Sequence, residues 1–248
     1  MTQTILFTAH PDSAATLPAV TDMRKLLQLP LQHFTAHQNP EESQIVKNTL
    51  EDFTFIIHGS LRNARYFVEW MQQNDLLVNV QNRINLAVDK PTSEFLERKK
   101  IPAVLFRESG KPIDVLEFML RISKQGSTLY PTTESKTEEM PGLLKELEMP
   151  VSEFTVCREI TISEVLLSEY RERVSRASLK AILFHNRSSI TRIKTAFPEL
   201  NFNHYKLISG SPGVTEKLRE DGHLPVIEAD GSWHSIADVL DEISGISE

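Results

Sequence analysis

Cysteine is almost missing from this 248-residue chain: Cys157 stands alone. One thiol closes no intrachain disulfide and builds no cysteine-based zinc site. Such a chain suits a reducing compartment. Glycine is scarce too, at nine residues, and no G-x-G-x-x-G or G-x-x-x-x-G-K-[ST] occurs, so the backbone cradles that hold nucleotide phosphates are absent. H-E-x-x-H and G-x-S-x-G are also absent, which leaves zinc-protease and serine-hydrolase readings unsupported. No stretch of about 18 apolar residues offers a membrane-spanning helix. The opening MTQTILFTAHPDS lacks a basic start followed by a long apolar run, so no signal peptide is read and a cytoplasmic location is expected. Acidic residues outnumber basic ones, 34 to 27, for a formal net charge of −7. A surface of that sign attracts neither nucleic acid nor an acidic membrane as a whole; net charge sets no limit on a local basic pocket.

What is present is an ordinary globular composition, 40% hydrophobic and 25% charged, enough for a full core. Short apolar runs alternate with longer amphipathic stretches, the pattern of a parallel sheet covered by helices. The clearest strands are Thr4–Thr8, Phe53–Ile57, Asn85–Val88, Ala103–Phe106, Ser127–Tyr130, Lys180–Phe184 and Tyr205–Ser209. Helices are expected over Ala64–Gln73, Thr92–Lys99, Ile113–Ser123, Gly142–Glu148, Glu164–Val174, Ile190–Ala196, Thr215–Glu220 and Ile236–Ile243. This is the signature of a doubly wound α/β fold.

An internal repeat sets the domain count. Residues 91–122 can be laid beside 213–244: each reads helix, polar stop, Pro-led strand, Gly-containing turn and a second helix. The segment from Phe55, FIIHGSLRNARYF, likewise mirrors ILFHNRSSITRI from Ile182, each a buried strand ending in His before a small polar loop that opens a helix. Two matches in the same order point to duplicated domains. A duplicated α/β pair predicts a cleft between the halves, lined by loops at the carboxyl ends of the strands. His33 and His37 form the sole i,i+4 histidine pair and fall near a crossing between halves, so no metal site is expected.

The strand-end loops are rich in small hydroxyl and amide residues: Ser60, Asn63, Thr92, Thr132, Thr133, Ser135, Asn186, Ser188, Ser189, Ser209 and Ser211. Singly, each suits helix N-capping. As a set, several helix starts converging on one cleft offer backbone N–H donors and positive dipole ends to carboxylates, reinforced by Arg62, Lys90, Lys136 and Arg187.

At these loops the chain resembles the uroporphyrinogen-III synthase family over nearly its whole length. The family's buried strand followed by Thr-Ser-Pro is similar to Ile56-Ile57-His58-Gly59-Ser60-Leu61-Arg62 and to Leu183-Phe184-His185-Asn186-Arg187-Ser188. Its Gly-x-x-Thr-Ala helix start resembles Val88-Asp89-Lys90-Pro91-Thr92-Ser93. Its Pro-containing strand end resembles Leu129-Tyr130-Pro131-Thr132-Thr133-Glu134-Ser135-Lys136, and its return strand resembles Phe154-Thr155-Val156-Cys157-Arg158-Glu159. The resemblance implies two flavodoxin-like domains, residues 1–36 with 160–248 and residues 37–159, joined by two extended linkers near Thr35–Pro40 and Val156–Thr161. It implies a monomer without cofactor or metal that closes hydroxymethylbilane, a linear tetrapyrrole polycarboxylate, with inversion of ring D and loss of water. Ser60, Arg62, Thr92, Thr132, Thr133, Asn186, Ser188, Ser211 and Thr215 would then bind substrate, with His185 and Tyr130 as candidates for proton transfer. Three departures stand out. Cys157 replaces the family tyrosine, Val214 stands at a family threonine with Thr215 one residue later, and Asn186 replaces a serine. A non-catalytic, regulatory or ligand-binding member of the same fold is the alternative that these departures keep open.

Overall fold

In the computed structural model residues 4–19, 21–37, 39–105, 112–134 and 139–245 are described. The chain falls into two units: unit 1 combines Met1–His33 with Thr161–Glu248, and unit 2 is Phe34–Ile160. One crossing between units falls within β3 (His33–Ala36) and the other at the end of the long β8 (Val151–Ile160). The segments expected as extended linkers thus lie largely in these two strands, while Pro40 already opens α1 (Pro40–Thr49).

Unit 1 contains β1 (Thr4–Phe7), β2 (Leu26–Gln28), α7 (Glu164–Arg176), β9 (Leu179–Phe184), α8 (Arg187–Ala196), β10 (Lys206–Ser209), α9 (Pro212–Glu220), β11 (Ile227–Glu228) and α10 (Trp233–Gly245). Its sheet runs β11-β10-β9-β1-β2, and every pairing is parallel. Counted along this unit the order is 2-1-3-4-5, a doubly wound sheet whose direction of winding reverses between β1 and β9. The strands are apolar on both faces because both are covered. Leu6, Ile182 and Phe184 pack under α7, α8 and α9; Ile5, Phe7 and Leu183 pack against α10.

Unit 2 contains β3, α1, β4 (Phe55–His58), α2 (Leu61–Gln73), α3 (Leu77–Gln81), β5 (Ile84–Ala87), α4 (Lys90–Arg98), β6 (Ala103–Leu105), α5 (Pro112–Ile122), β7 (Thr128–Thr133), α6 (Glu139–Glu146) and β8. Its sheet runs β3-β8-β7-β4-β5-β6. The stretch β8-β7-β4-β5-β6 repeats the order β2-β1-β9-β10-β11, with the chain opened at a different point. The reversal of winding falls between β7 and β4. Ile56, Leu129 and Phe154 pack beneath α2 and α4; Phe55, Ile57 and Tyr130 pack against α5 and α6.

Two sequence readings change here. The strands and helices sit close to where periodicity puts them, and α7 starts at Glu164 as expected, but the other expected helices begin one to three residues earlier. In α4 and α9 the first two positions take in Pro91 and Pro212, where the missing N–H has no helical partner to lose. The match between His58 and His185 is also shifted by one residue. His58 is the last residue of β4 and its ring lies 5.8 Å from Phe67 of α2. His185 follows β9 and lies edge-on to Phe7, on the α10 side. Successive residues of a strand face opposite sides, so the two histidines belong to opposite faces. Phe106, expected at the end of a strand, lies outside the described residues.

Candidate functional site

Ligands of doubly wound sheets sit beyond the carboxyl ends of the strands where the winding reverses. In unit 2 that place is the end of β4 and β7. Their ladder pairs Phe55 with Thr128 and Ile56 with Leu129, and stops short of Pro131, which has no N–H to give. Ser60 caps α2 by accepting the Asn63 N–H at 3.2 Å. Behind this cap lies a buried polar cluster. Thr133 Oγ1 donates to Asn63 Oδ1 at 2.9 Å, Arg62 donates a guanidinium N–H to Thr133 Oγ1 at 3.2 Å, and the guanidinium carbon lies 4.1 Å from the centre of the Phe34 ring. Cys157 Sγ is 3.5 Å from Thr133 Oγ1 and 3.7 Å from Asn63 Oδ1.

A bulge explains how Cys157 arrives there. Thr132 pairs with Thr155, yet Thr133 pairs with Cys157. The extra residue puts Val156 and Cys157 on the same face, in the core under α2. Cys157 and Asn63 are fully buried, and Arg62 is 6% exposed.

The other predicted residues of unit 2 take distinct places. Asp89, rather than Thr92, caps α4, accepting the Thr92 N–H at 2.8 Å. Thr92 is fully buried within the first turn, with no partner for its hydroxyl. Thr132 is buried in β7, and Tyr130 lies in the apolar core beside Met119 and Leu144. Lys90 is exposed and pairs with Glu94. Ser135 and Lys136 lie outside the described residues.

In unit 1 the reversal brings the loop after β1 beside His185 and Asn186. Asn186 and Ser189 form a reciprocal capping box at α8, which satisfies two N-terminal donors at once. Ser188 is exposed and donates to Asn186 Oδ1 at 2.9 Å. Ser211 occupies the N-cap position of α9 without a side-chain cap bond; its carbonyl accepts the Ser209 hydroxyl at 2.8 Å. Thr215 is buried with no partner for its hydroxyl, and Val214 is buried in the core. Arg187 reaches the Gly213 carbonyl at 2.8 Å and pairs with Glu216. Gly210 lets β10 close on β9, since a Cβ there would stand 2.9 Å from both the His185 Cα and the Phe184 carbonyl oxygen.

His185 is half-buried against aromatic rings, stacked on Trp233 with centroids 6.2 Å apart. Desolvation first, and the nearby Arg192 cation second, push its pKa down to about 4. At neutral pH it is therefore an uncharged imidazole, a proton acceptor rather than an imidazolium acid.

Sequence reasoning places Asn63 among capping residues but misses its partners, because the bulge that brings Cys157 to it has no sequence signature. Among the described residues no group of three metal-ligating side chains occurs, and no helix is long and apolar enough to cross a membrane. An open groove lined by Ser93, Glu97, Lys100, Ile101, Pro102 and Ala103 lies at the amino end of β6, away from the strand-end site of unit 2.

Comparison with known proteins assigns the family. The chain is similar in fold to uroporphyrinogen-III synthetase from Helicobacter pylori, with a TM-score of 0.65 and 14% identity, covering 97% of this chain and 99% of that one. It is also similar to a mutant uroporphyrinogen III synthase from the extremely thermophilic bacterium Thermus thermophilus, with a TM-score of 0.57, 14% identity and coverage of 99% and 100%. No curated protein sequence gives a significant match. A family model, uroporphyrinogen-III synthase HemD, matches residues 24–232. With that match spanning most of its length, the chain belongs to the uroporphyrinogen-III synthase family, lyases of haem biosynthesis.

Proposed function

We propose that this chain closes hydroxymethylbilane to uroporphyrinogen III, inverting ring D and releasing water. The observation that carries the reading is the family match over residues 24–232. The chemistry at the strand ends suits it. Departure of the substrate hydroxyl as water leaves a cationic azafulvene, and closure then needs the two ends of a flexible chain to meet. Holding those ends is mainly an entropic and positional contribution, and a chain of carboxylates can be held by helix N-termini and fixed guanidinium groups. Asn186 and Ser188 at the start of α8, Ser211 and Thr215 at α9, Ser60 and Arg62 at α2, Thr92 at α4, and Thr132 and Thr133 at the end of β7 are the proposed binding residues. The reaction as proposed uses no metal or organic cofactor, in a cytoplasmic monomer.

The second reading, a non-catalytic binding member, draws on one observation. The two positions where the family carries hydroxyl groups hold Cys157 and Val214, and both are buried. The test that separates the readings supplies purified protein with hydroxymethylbilane and resolves the porphyrinogen isomers. Type III product above the spontaneous type I background is expected; its absence at high protein concentration would leave the binding role. Two variants sort the proton-transfer candidates. Tyr130→Phe, altered inside an apolar core, is expected to leave kcat within about threefold, since removing a true general acid typically removes 10²–10⁴-fold. A kcat for His185→Ala equal to that of the unaltered protein would remove His185 from the mechanism.

A further inference from the structure

Asn63 is a fully buried amide in the first turn of α2, and its side-chain oxygen meets Thr133 and Cys157 on other elements. Thr133 has a single hydroxyl proton, and Asn63 Oδ1 receives it at 2.9 Å. The Thr133 oxygen is thereby left with its lone pairs toward Arg62, whose guanidinium donates at 3.2 Å. Phe34 supports the guanidinium from one face, and the Phe34 carbonyl is itself tied to the Tyr66 hydroxyl at 2.9 Å. An arginine on a free stem must lose rotamer freedom when it grips a carboxylate; one already fixed has lost it before the ligand arrives.

We propose that Asn63 is a positioning residue: acting through Thr133, it fixes the Arg62 guanidinium at the carboxyl ends of β4 and β7, and so sets the affinity of unit 2 for a tetrapyrrole carboxylate. The choice of ligand rests on the proposed cyclisation; the hydrogen-bond relay does not.

The test uses the full chain and three readouts. Asn63→Ala, and the near-isosteric Asn63→Leu should the first fold poorly, are expected to weaken binding of uroporphyrin III about tenfold, one decade in Kd. KM for hydroxymethylbilane rises with them, and kcat changes less than twofold. In an Arg62→Lys background, Asn63→Ala adds less than twofold, because the group that it positions is gone. Nitrogen NMR gives a readout free of ligand: the Arg62 side-chain signal, assigned by its loss in Arg62→Lys, is slow in rotation and becomes averaged in Asn63→Ala. Variants that lower only thermal stability, with Kd, KM and the Arg62 signal unchanged, or effects that simply add to those of Arg62→Lys, overturn the proposal. Should the unaltered protein make no type III isomer, the cyclisation reading fails, while uroporphyrin binding and the NMR signal still decide the positioning role.

Discussion

The imidazole of His58 can hold one proton where it sits. Asn85 spends its amide N–H groups on the Val80 and Arg83 carbonyls at 2.9 and 3.1 Å, so its Oδ1 must accept from His58 Nε2 at 3.1 Å. His58 Nδ1 then carries a lone pair in a fully buried place without a partner. A second proton would put a charge there, and desolvation outweighs the favourable Asn85 bond, lowering the pKa from 6.5 to about 4. In the unfolded chain His58 takes its proton near pH 6.5, whereas in the fold it refuses one until about pH 4. Stability is therefore complete above pH 6.5 and falls as pH drops toward 4, by on the order of 3 kcal/mol in all. Chemical denaturation at pH 7 and pH 5 checks this. His58→Gln, which keeps a donor for Asn85, is expected to lose about 2 kcal/mol less over that interval. Sequence reading sees His58 at a strand end. It cannot see which face the ring takes, and the one-residue offset from His185 follows from where each helix cap begins.

The elements carry the scarcity of glycine in a visible way. Three helices of unit 2 end on non-glycine residues in the left-handed region, Asp75, Lys100 and Glu148, with φ of 57°, 60° and 55°. After α4, the Lys100 N–H reaches the Glu97 carbonyl at 2.8 Å and the Ile101 N–H reaches Leu96 at 2.9 Å, closing the helix end while Ile101 enters the core. Lys100→Gly removes the Cβ penalty at that φ and is expected to raise stability by about 0.5–1 kcal/mol, read as a higher denaturation midpoint. Gly210 is the opposite case. Its close approach is to backbone, which cannot swing aside, so Gly210→Ala is expected to lower stability by about 1–3 kcal/mol in the same measurement. Most of β4, β5, β9 and β10 is legible in the sequence because each is a short apolar run between turn residues. The short strand β2 and the polar helix α1 are not: three residues show no period, and α1 buries only Ser43 and Val46; the two-residue β11 is legible only through the repeat, as its Pro-led strand. The long β8 is legible in part, as a return strand over Phe154–Glu159 that passes into an expected linker from Val156; its outer half alternates little and carries Arg158 and Glu159 on the surface.

At the scale of the whole molecule, the repeat in the sequence is the duplication of a sheet, and the chain enters the two copies at different strands. Unit 2 is one unbroken stretch with both faces of its sheet covered. Residues 34–160 expressed alone are expected to unfold in one cooperative step by circular dichroism; a non-cooperative melt would show that the boundary is misplaced. Residues 161–248 alone lack β1 and β2. They would leave the β9 edge open and Leu6 and Phe7 missing from the two cores, so this piece is expected to aggregate or stay unfolded, and to recover only when residues 1–33 are joined to it. The same permuted entry has a consequence during synthesis. About 150 residues separate the end of β2 from the start of β9, which at 5–20 residues per second is roughly 8–30 seconds of translation. For that interval the nascent amino terminus carries apolar strands without a neighbour, while the central stretch behind it leaves the ribosome complete. The last strands made thus have to find the first, with a finished domain already standing in the chain that connects them.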